Sequence, residues 1–333
     1  MSQPNYWQLN KEISKELNNF LVTFCKNKPE FTDIQGYYCN KRTHLNGMQF
    51  YAGFIAGIGK NWQKYIAVPV TIELIMIWAY KTNQIIDNKK EVWESKENIK
   101  TTILQHDLLL VLIFELLSSL KKILKSDFVF FDSLVKEMMS AMTRGFNIER
   151  KDLNIYFTPL SRILEHWEKK YSKRNINFNL VYDYAPLIGY WLATGDKEIF
   201  TRYNDFFKSK KRFSEVGQII NDIGDWSDLY DESTRIYQDR FADIRNGILT
   251  FPIYGAIDNI FIKEAIANPS VISKISWQKN IQLLRNEIAQ NVKVIGKKCF
   301  TDLVTFWDHN NKSKNHLVIE TYLLLKHNKY LNL

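Results

Sequence analysis

Residues 217–228 read GQIINDIGDWSD and place three aspartates and one asparagine on a stretch that otherwise has the pattern of a buried helix. Similar spacing of apolar residues, three and four apart, recurs over most of the chain and predicts helices, whereas strand-like alternation is rare. The 333 residues include only 13 glycines and 7 prolines. No Pro/Gly/Ser-rich linker divides them. We therefore predict an all-α fold in which residues 1–333 form a single domain of long helices.

The apolar spacing also predicts where these helices lie. The predicted helices are 6–26, 45–58, 62–87, 99–124, 128–143, 160–171, 178–193, 197–228 and 249–267, with several more towards the C-terminus. Two of them contain a segment that begins apolar and then turns polar: IELIMIWAYKTNQIIDNKK at 72–90 turns polar at Asn83, and RFSEVGQIINDIGDWSD at 212–228 turns polar at Asn221. Each of these two helices therefore places polar side chains at the end of a buried rod.

The polar end of helix 197–228 has the residue spacing of a metal site. Asn221 and Asp225 are four residues apart and Asp222 and Asp225 are three apart, so their oxygens are expected to converge on one face. Carboxylates this close repel each other unless a cation lies between them, and carboxylate and amide oxygens suit Mg²⁺. The alternative is an N-cap or a solvated helix end. The apolar residues that precede the acids favour burial and hence the metal site.

Two segments resemble parts of the trans-isoprenyl diphosphate synthases. GQIINDIGD at 217–225 is similar to the family's second aspartate-rich region, and DRFADIRNGILTFPI at 239–253 to the segment downstream of it. Weaker similarity covers most of the chain. IELIMIWAYKTNQIID at 72–87 resembles the helix of the first aspartate-rich motif, HDLLLVLIFELL at 106–117 the Gly-Asp-x-Leu-Leu helix, and CNKRTHL at 39–45 the N-terminal basic region. The resemblance implies a helical bundle around a central cavity, with both acidic motifs at its mouth.

The resemblance also implies that these motifs hold magnesium ions, which bind an allylic prenyl diphosphate. The implied metal ligands are Asn83, Gln84, Asp87, Asn221, Asp222 and Asp225. The implied catalytic residues are Asp87, Asp222 and Asp225. The implied diphosphate-binding residues are Lys41, Arg42, His44, Gln218 and Arg240. Trp78 and Phe178 would line the cavity, and the Trp78 indole, five residues before the first motif, would favour a short C10 or C15 chain.

The departures from the family pattern concern charge. The first motif reads NQIID at 83–87 where the family has Asp-Asp-x-x-Asp, so it keeps one acid. The Arg-Arg-Gly that follows this motif in the family is absent, and Asn177 and Phe178 stand at the family's Lys-Thr positions. In the family, the arginines that follow the first motif and the lysine of the Lys-Thr pair hold diphosphates. We therefore expect weak binding of a second diphosphate, that of isopentenyl diphosphate.

Three functions are compatible with this pattern. The preferred interpretation is ionisation of an allylic diphosphate, because metal ligands are retained while second-diphosphate ligands are lost. The carbocation would then be cyclised or rearranged within its own chain, as in a terpene synthase, or passed to another acceptor by an unusual prenyltransferase. The alternatives are an ordinary chain-elongating prenyl diphosphate synthase and a catalytically silent subunit of a heteromeric synthase.

Composition argues against several other classes of protein. The net charge is +9, but the basic residues are spread along the chain among 36 acids, so nucleic-acid binding is not expected. The most apolar run, LLLVLIFELL at 108–117, contains Glu115 and is too short to span a bilayer, so membrane insertion is not expected either. Three scattered cysteines indicate a reducing compartment, and we expect a cytoplasmic homodimer.

Two further polar groups lie on otherwise apolar helices. Asp183, between Tyr182 and Tyr184, would be costly to bury without a partner. We expect a lysine to pair with it, and a role as a base or in acceptor binding is the alternative. His106 and Asp107 are interpreted as packing or capping residues of their helix.

Overall fold

A computed structural model of the chain describes residues 6–40, 44–86, 99–224 and 242–314. Within these ranges the regular secondary structure is helical, and the only β-type pairing there is one isolated antiparallel bridge between Asn154 and Ile248. The prediction of an all-α fold is confirmed.

Fourteen α-helices lie in the described ranges. In chain order they are α1 (Tyr6–Cys25), α2 (Thr32–Cys39), α3 (Leu45–Ala56), α4 (Ala67–Ile86), α5 (Ile99–Leu124), α6 (Phe128–Asp152), α7 (Leu160–Phe178), α8 (Leu180–Thr194), α9 (Ile199–Phe206), α10 (Phe213–Gly224), α11 (Ala242–Arg245), α12 (Phe251–Gly255), α13 (Ile260–Ala267) and α14 (Ile275–Asn310). Short 3₁₀ turns lie at Pro29–Phe31, Trp62–Tyr65, Lys125–Asp127 and Pro269–Ser273.

Two of the predicted helices are interrupted. The predicted helix 197–228 is two helices within the described residues, α9 and α10, and between them residues 208–212 supply no apolar side chain for the buried face. The predicted helix 249–267 is also two, α12 and α13. Asn259 starts the second of these by accepting a hydrogen bond from the backbone N–H of Phe261. Predicted helix 160–171 is too short, since α7 continues to Phe178.

The described residues fall into two compact units. The first comprises those of 1–140, 181–209 and 303–323, and the second those of 141–180 and 210–302. Each unit has its own buried apolar core. The single domain expected over residues 1–333 stays a prediction.

In the first unit, α3 and α8 cross in direct backbone contact. A Cβ atom added to Gly53 would lie 1.9 Å from the carbonyl oxygen of Pro186, and one added to Gly189 would lie 2.0 Å from that of Phe50. Real Cβ atoms do not approach oxygen this closely, so only glycine fits at the crossing. The contact fixes α8, the helix that carries Asp183, against α3.

Helix α5, also in the first unit, leaves a row of apolar side chains exposed. Leu104, Val111 and Phe114 are each about half exposed, at 59%, 47% and 58%. An 18-residue stretch within Lys100–Asp152 has a mean hydropathy of 1.7 and is 33% buried, so by length and composition it could cross a membrane. This is weak evidence, because core helices of globular proteins meet the same criterion. The expected absence of membrane insertion stays a prediction.

In the second unit, α7 packs against α10, and α10 packs against α12. Trp167 on α7 lies nearly parallel to the Tyr254 ring, with centroids 3.7 Å apart. Its indole N–H donates a hydrogen bond of 2.8 Å to the carbonyl of Leu249. These contacts hold α7 in register with the segment 247–255, and they place Tyr171 and Arg174, one and two turns further along α7, against α10.

Candidate functional site

The second acidic motif lies at the end of α10, where its neighbouring residues differ in environment. Asn221 is exposed, whereas the side chain of Asp222 is buried and only 1% accessible. Adjacent helical positions are about 100° apart, so burial of one face hides Asp222 and leaves Asn221 outside. Asp225 lies outside the described residues. The expected convergence of all three on one face therefore stays a prediction.

Both carboxylate oxygens of Asp222 accept hydrogen bonds from protein donors. Oδ2 accepts from the hydroxyl of Tyr171 at 2.6 Å and from Nη1 of Arg174 at 3.0 Å. Oδ1 accepts from Nε2 of Gln218 at 2.8 Å and from the same Nη1 at 3.3 Å. An ionised carboxylate offers about four acceptor positions, so those of Asp222 are filled.

Arg174 joins Asp222 to a second buried carboxylate, Glu149. Its Nε donates to Oε2 of Glu149 at 2.8 Å, and its Nη2 forms an ion pair with the same oxygen. Its Nη1 also donates to Oδ1 of Asn175 at 3.0 Å, and its guanidinium carbon lies 4.8 Å from the centre of the Phe178 ring. We refer to Glu149, Arg174 and Asp222 as the buried ion cluster.

The charges around Arg174 and the burial of Tyr171 keep both side chains protonated. Burial alone would lower the pKa of Arg174, but the charges of Asp222 and Glu149 raise it well above its ordinary value, so the guanidinium stays charged. Burial raises the pKa of Tyr171 well above its ordinary value, and the charge on Asp222 raises it further. Tyr171 therefore keeps the proton that it donates to Asp222.

Gln218, Phe178 and Asn177 lie around the cluster. Gln218, which the resemblance assigned to diphosphate binding, donates to Asp222 and accepts a hydrogen bond of 3.0 Å from Nδ2 of Asn179. Phe178, which the resemblance assigned to the cavity, packs on Arg174 and on Phe146, with ring centroids 4.7 Å apart in the second contact. The amide of Asn177 donates to the carbonyl of Lys173 in its own helix.

The first motif begins on the last turn of α4 that the structure describes. Asn83 is half-buried there, whereas Asp87 and the side chain of Gln84 lie outside what is described. Trp78 lies five residues earlier on the helix and is 8% exposed. Its indole packs on the His106 ring, with centroids 5.5 Å apart, and Nε1 has no hydrogen-bond partner among the described residues. Trp78 is therefore buried, and its position at the floor of a cavity stays a prediction.

His106 links α4 to α5. Its Nε2 lies 3.1 Å from Oγ1 of Thr82, and its Nδ1 lies 3.1 Å from Oδ1 of Asp107. The hydroxyl of Thr82 also donates to the carbonyl of Trp78 at 2.9 Å. His106 thus packs between the helices, as its position in the sequence indicated.

The fold of the chain is similar to that of several solved structures. The chain resembles a heptaprenyl diphosphate synthase from Staphylococcus aureus with a TM-score of 0.67 and 17% identity, over 97% of this chain and 98% of that one. It resembles a geranylgeranyl pyrophosphate synthase from Corynebacterium glutamicum, complexed with calcium and isoprenyl diphosphate. The TM-score is 0.65 and the identity 16%, over 99% of this chain and 98% of that one. It also resembles a decaprenyl diphosphate synthase from Rhodobacter capsulatus, with a TM-score of 0.64 and 12% identity, over 95% of this chain and 99% of that one. The chain has the prenyl diphosphate synthase fold. No protein-family model and no curated protein sequence matches it.

Within this prenyl diphosphate synthase fold, the described residues do not by themselves fit a Mg²⁺ ion. In the ranges that the structure describes, no three His, Cys, Asp or Glu side chains are grouped to hold a metal ion. Asp222 has its oxygens bonded to protein donors, and Asn221 supplies only a neutral amide. The remaining acids of the two motifs, Asp87 and Asp225, lie outside the described residues.

The basic residues that the resemblance assigned to diphosphate binding are only partly described. Lys41, Arg42 and Arg240 lie outside the described residues. His44 is fully buried, its Nε2 lies 2.9 Å from Oδ1 of Asn18, and its ring stacks on Tyr38 with centroids 4.4 Å apart. Its imidazole is therefore enclosed within the first unit of the fold.

Sequence reasoning missed two cations and one partner. Arg174 lies three residues beyond the predicted end of its helix, although Ile163, Trp167 and Tyr171 define a buried stripe that continues to it. Lys81 is 5% exposed, with Nζ 5.2 Å from the centre of the Tyr37 ring.

The partner missed is that of Asp183, which is fully buried. Its Oδ1 accepts a hydrogen bond of 2.9 Å from the hydroxyl of Tyr203, and the expected pairing with a lysine stays a prediction. The spacing of Ile199 and Tyr203 on the amphipathic helix α9 is the signal that would have placed a tyrosine hydroxyl inside the core.

Proposed function

We propose that the protein is an enzyme that acts on an allylic prenyl diphosphate. The observation that carries this proposal is the similarity, over 95–99% of the chain, to structures of prenyl diphosphate synthases. One of the similar structures contains isoprenyl diphosphate with calcium, and another contains isoprenyl diphosphate with magnesium. On the same ground we propose Mg²⁺ as the cofactor. The cytoplasmic location and the homodimer also stay proposals.

Two finer functions differ in what receives the prenyl group. Chain elongation with isopentenyl diphosphate is favoured by the names of the similar proteins, which are heptaprenyl, geranylgeranyl and decaprenyl diphosphate synthases. Ionisation followed by cyclisation, or by transfer to another acceptor, is favoured by the charge pattern. Asn177 replaces the family's lysine, and the amide of Asn177 bonds its own helix. Arg174, three residues before Asn177, forms ion pairs with Asp222 and Glu149.

The assay that separates these functions uses C10, C15 and C20 allylic diphosphates with Mg²⁺, with and without radiolabelled isopentenyl diphosphate. A longer prenyl diphosphate as the product supports elongation. A hydrocarbon or alcohol formed without isopentenyl diphosphate supports the terpene synthase type. No turnover of any allylic substrate, with or without metal, would leave the silent subunit and a prenyltransferase whose acceptor is absent from the assay.

Isopentenyl diphosphate is expected to be a weak co-substrate in either case. A second diphosphate needs several cations to offset repulsion from the first, and two lost charge-assisted contacts at about 1.5 to 3 kcal/mol each weaken binding by about 100-fold or more. We therefore expect its KM to exceed that of the allylic substrate by about two orders of magnitude. The measurement is initial-rate kinetics with both substrates varied. Comparable KM values would contradict the argument from charge.

Replacing Trp78 with alanine is expected to extend the accepted allylic chain beyond C15. The indole lies about 7 Å along α4 from Asn83, because five residues rise about 1.5 Å each, and it would block a longer tail there. The measurement is the kcat/KM ratio of C20 to C15 substrate, which should rise at least tenfold. Trp78→Phe keeps most of the bulk and is the matched control. Unchanged chain preference in Trp78→Ala would refute this role.

A further inference from the structure

The buried ion cluster places a guanidinium on the carboxylate that the sequence pattern assigned to a metal. We propose that Arg174 is the permanent internal cation of Asp222 and Glu149 and takes the position that a divalent metal ion would otherwise occupy at Asp222. The proposal concerns metal binding and does not depend on the proposed enzymatic function.

The protein donors around the Asp222 oxygens occupy the space that a metal ion would need. A Mg²⁺ ion needs a carboxylate oxygen at about 2.0 to 2.1 Å in near-octahedral geometry. Nη1 of Arg174 lies 3.0 Å from Oδ2 and 3.3 Å from Oδ1, and the hydroxyl of Tyr171 lies 2.6 Å from Oδ2. A metal ion on either oxygen would have to displace a donor and lie beside a fixed positive charge.

Arg174 is also held in place by contacts that do not involve Asp222. Its other edge is bonded to Glu149, and the Phe178 ring covers its face. Glu149 and Arg174 are 4% and 3% exposed, so water does not compete effectively for either. Rotation of Arg174 away from Asp222 would break these contacts in the protein interior, which makes displacement by a hydrated ion unfavourable.

The charges within the cluster also favour the guanidinium over a metal ion. The cluster contains two carboxylates and one guanidinium. If the guanidinium is removed, two buried carboxylates are left without their cation, and oxygen ligands of this kind bind Ca²⁺, lanthanide or Mg²⁺ ions. The cluster is therefore a latent cation site that Arg174 keeps filled.

The test compares Tb³⁺ binding, without substrate, in the full-length wild type and in Asp222→Asn, Arg174→Gln and the double variant Arg174→Gln/Asp222→Asn. Tyr171 donates to Asp222, so a Tb³⁺ ion at Asp222 would be excited through this ring and its luminescence would report the site. We expect wild type and Asp222→Asn to bind the same number of ions with affinities within about twofold. We expect Arg174→Gln to gain one additional ion, and the double variant to lose it.

A complementary measurement uses only wild-type protein, in case Arg174→Gln does not fold. Crystals soaked in Mn²⁺ would be examined for anomalous scattering at Asp222. The expected result is no peak within coordination distance, about 2.2 Å, of either Asp222 oxygen. A peak there, or a bound ion that wild type loses on Asp222→Asn substitution, would overturn the proposal and restore Asp222 as a metal ligand. The enzymatic proposal is judged separately, by product formation.

Discussion

Asp222→Ala is expected to lower the free energy of unfolding by about 3 to 5 kcal/mol, because it leaves a buried guanidinium without one of its carboxylates. The side chain of Asp222 is only 1% exposed and accepts hydrogen bonds from Tyr171, Arg174 and Gln218, so all three lose a partner at once. Urea denaturation followed by far-ultraviolet circular dichroism measures the change.

The matched control is Asn221→Ala, one residue earlier on the same helix. Asn221 is exposed, and truncation of an exposed side chain usually changes stability by no more than about 0.5 kcal/mol. Equal stability of Asp222→Ala and Asn221→Ala would show that the buried ion cluster does not stabilise the fold. This comparison also has a practical consequence. Loss of turnover in Asp222→Ala cannot be assigned to metal binding until its stability has been measured.

Gly189→Ala is expected to destabilise the first unit by about 3 kcal/mol or more, because the added methyl group would overlap backbone that cannot move independently. The new Cβ would lie 2.0 Å from the carbonyl oxygen of Phe50 and 2.8 Å from the backbone nitrogen of Phe54. Relief requires that α3 and α8 separate along their crossing. The measurement is again urea denaturation, with Gly53→Ala expected to behave in the same way.

Gly36→Ala is the control for this pair. Gly36 lies in α2 of the same unit and is exposed. A Cβ atom added there would meet nothing within 4 Å. Alanine loses less backbone entropy than glycine on folding into a helix, so Gly36→Ala should stabilise by about 0.5 to 1 kcal/mol. If Gly189→Ala proved as stable as Gly36→Ala, the close approach of α3 and α8 would be wrong.

The helical class could be predicted from the sequence because the spacing of apolar residues is a local signal. The same signal found α5 with its described bounds, Ile99–Leu124. It failed between α9 and α10, where residues 208–212 contain no apolar side chain and the buried face is interrupted.

The environment of Asp222 could not be predicted from its own helix. Spacing shows which oxygens share a face, but it does not show whether a metal ion or a guanidinium neutralises them. The donor, Arg174, lies 48 residues away in sequence, and Glu149 lies a further 25 residues before it. Only the packing of α7 on α10 brings these groups together. A carboxylate in an acidic motif that resembles a metal-binding motif can therefore have a guanidinium of the same chain as its partner.

The buried ion cluster has a consequence for how this protein can change by mutation. A single substitution at Glu149, Arg174 or Asp222 leaves an unpaired charge in the interior, whereas replacing the whole cluster by apolar residues of similar volume is often neutral or stabilising. The three positions are thus epistatic. Loss of the arginine by one substitution is expected to be tolerated only where a metal ion is available to neutralise the two carboxylates that it leaves behind. Drift at these positions is expected to occur in concert, so that the charges of residues 149, 174 and 222 covary.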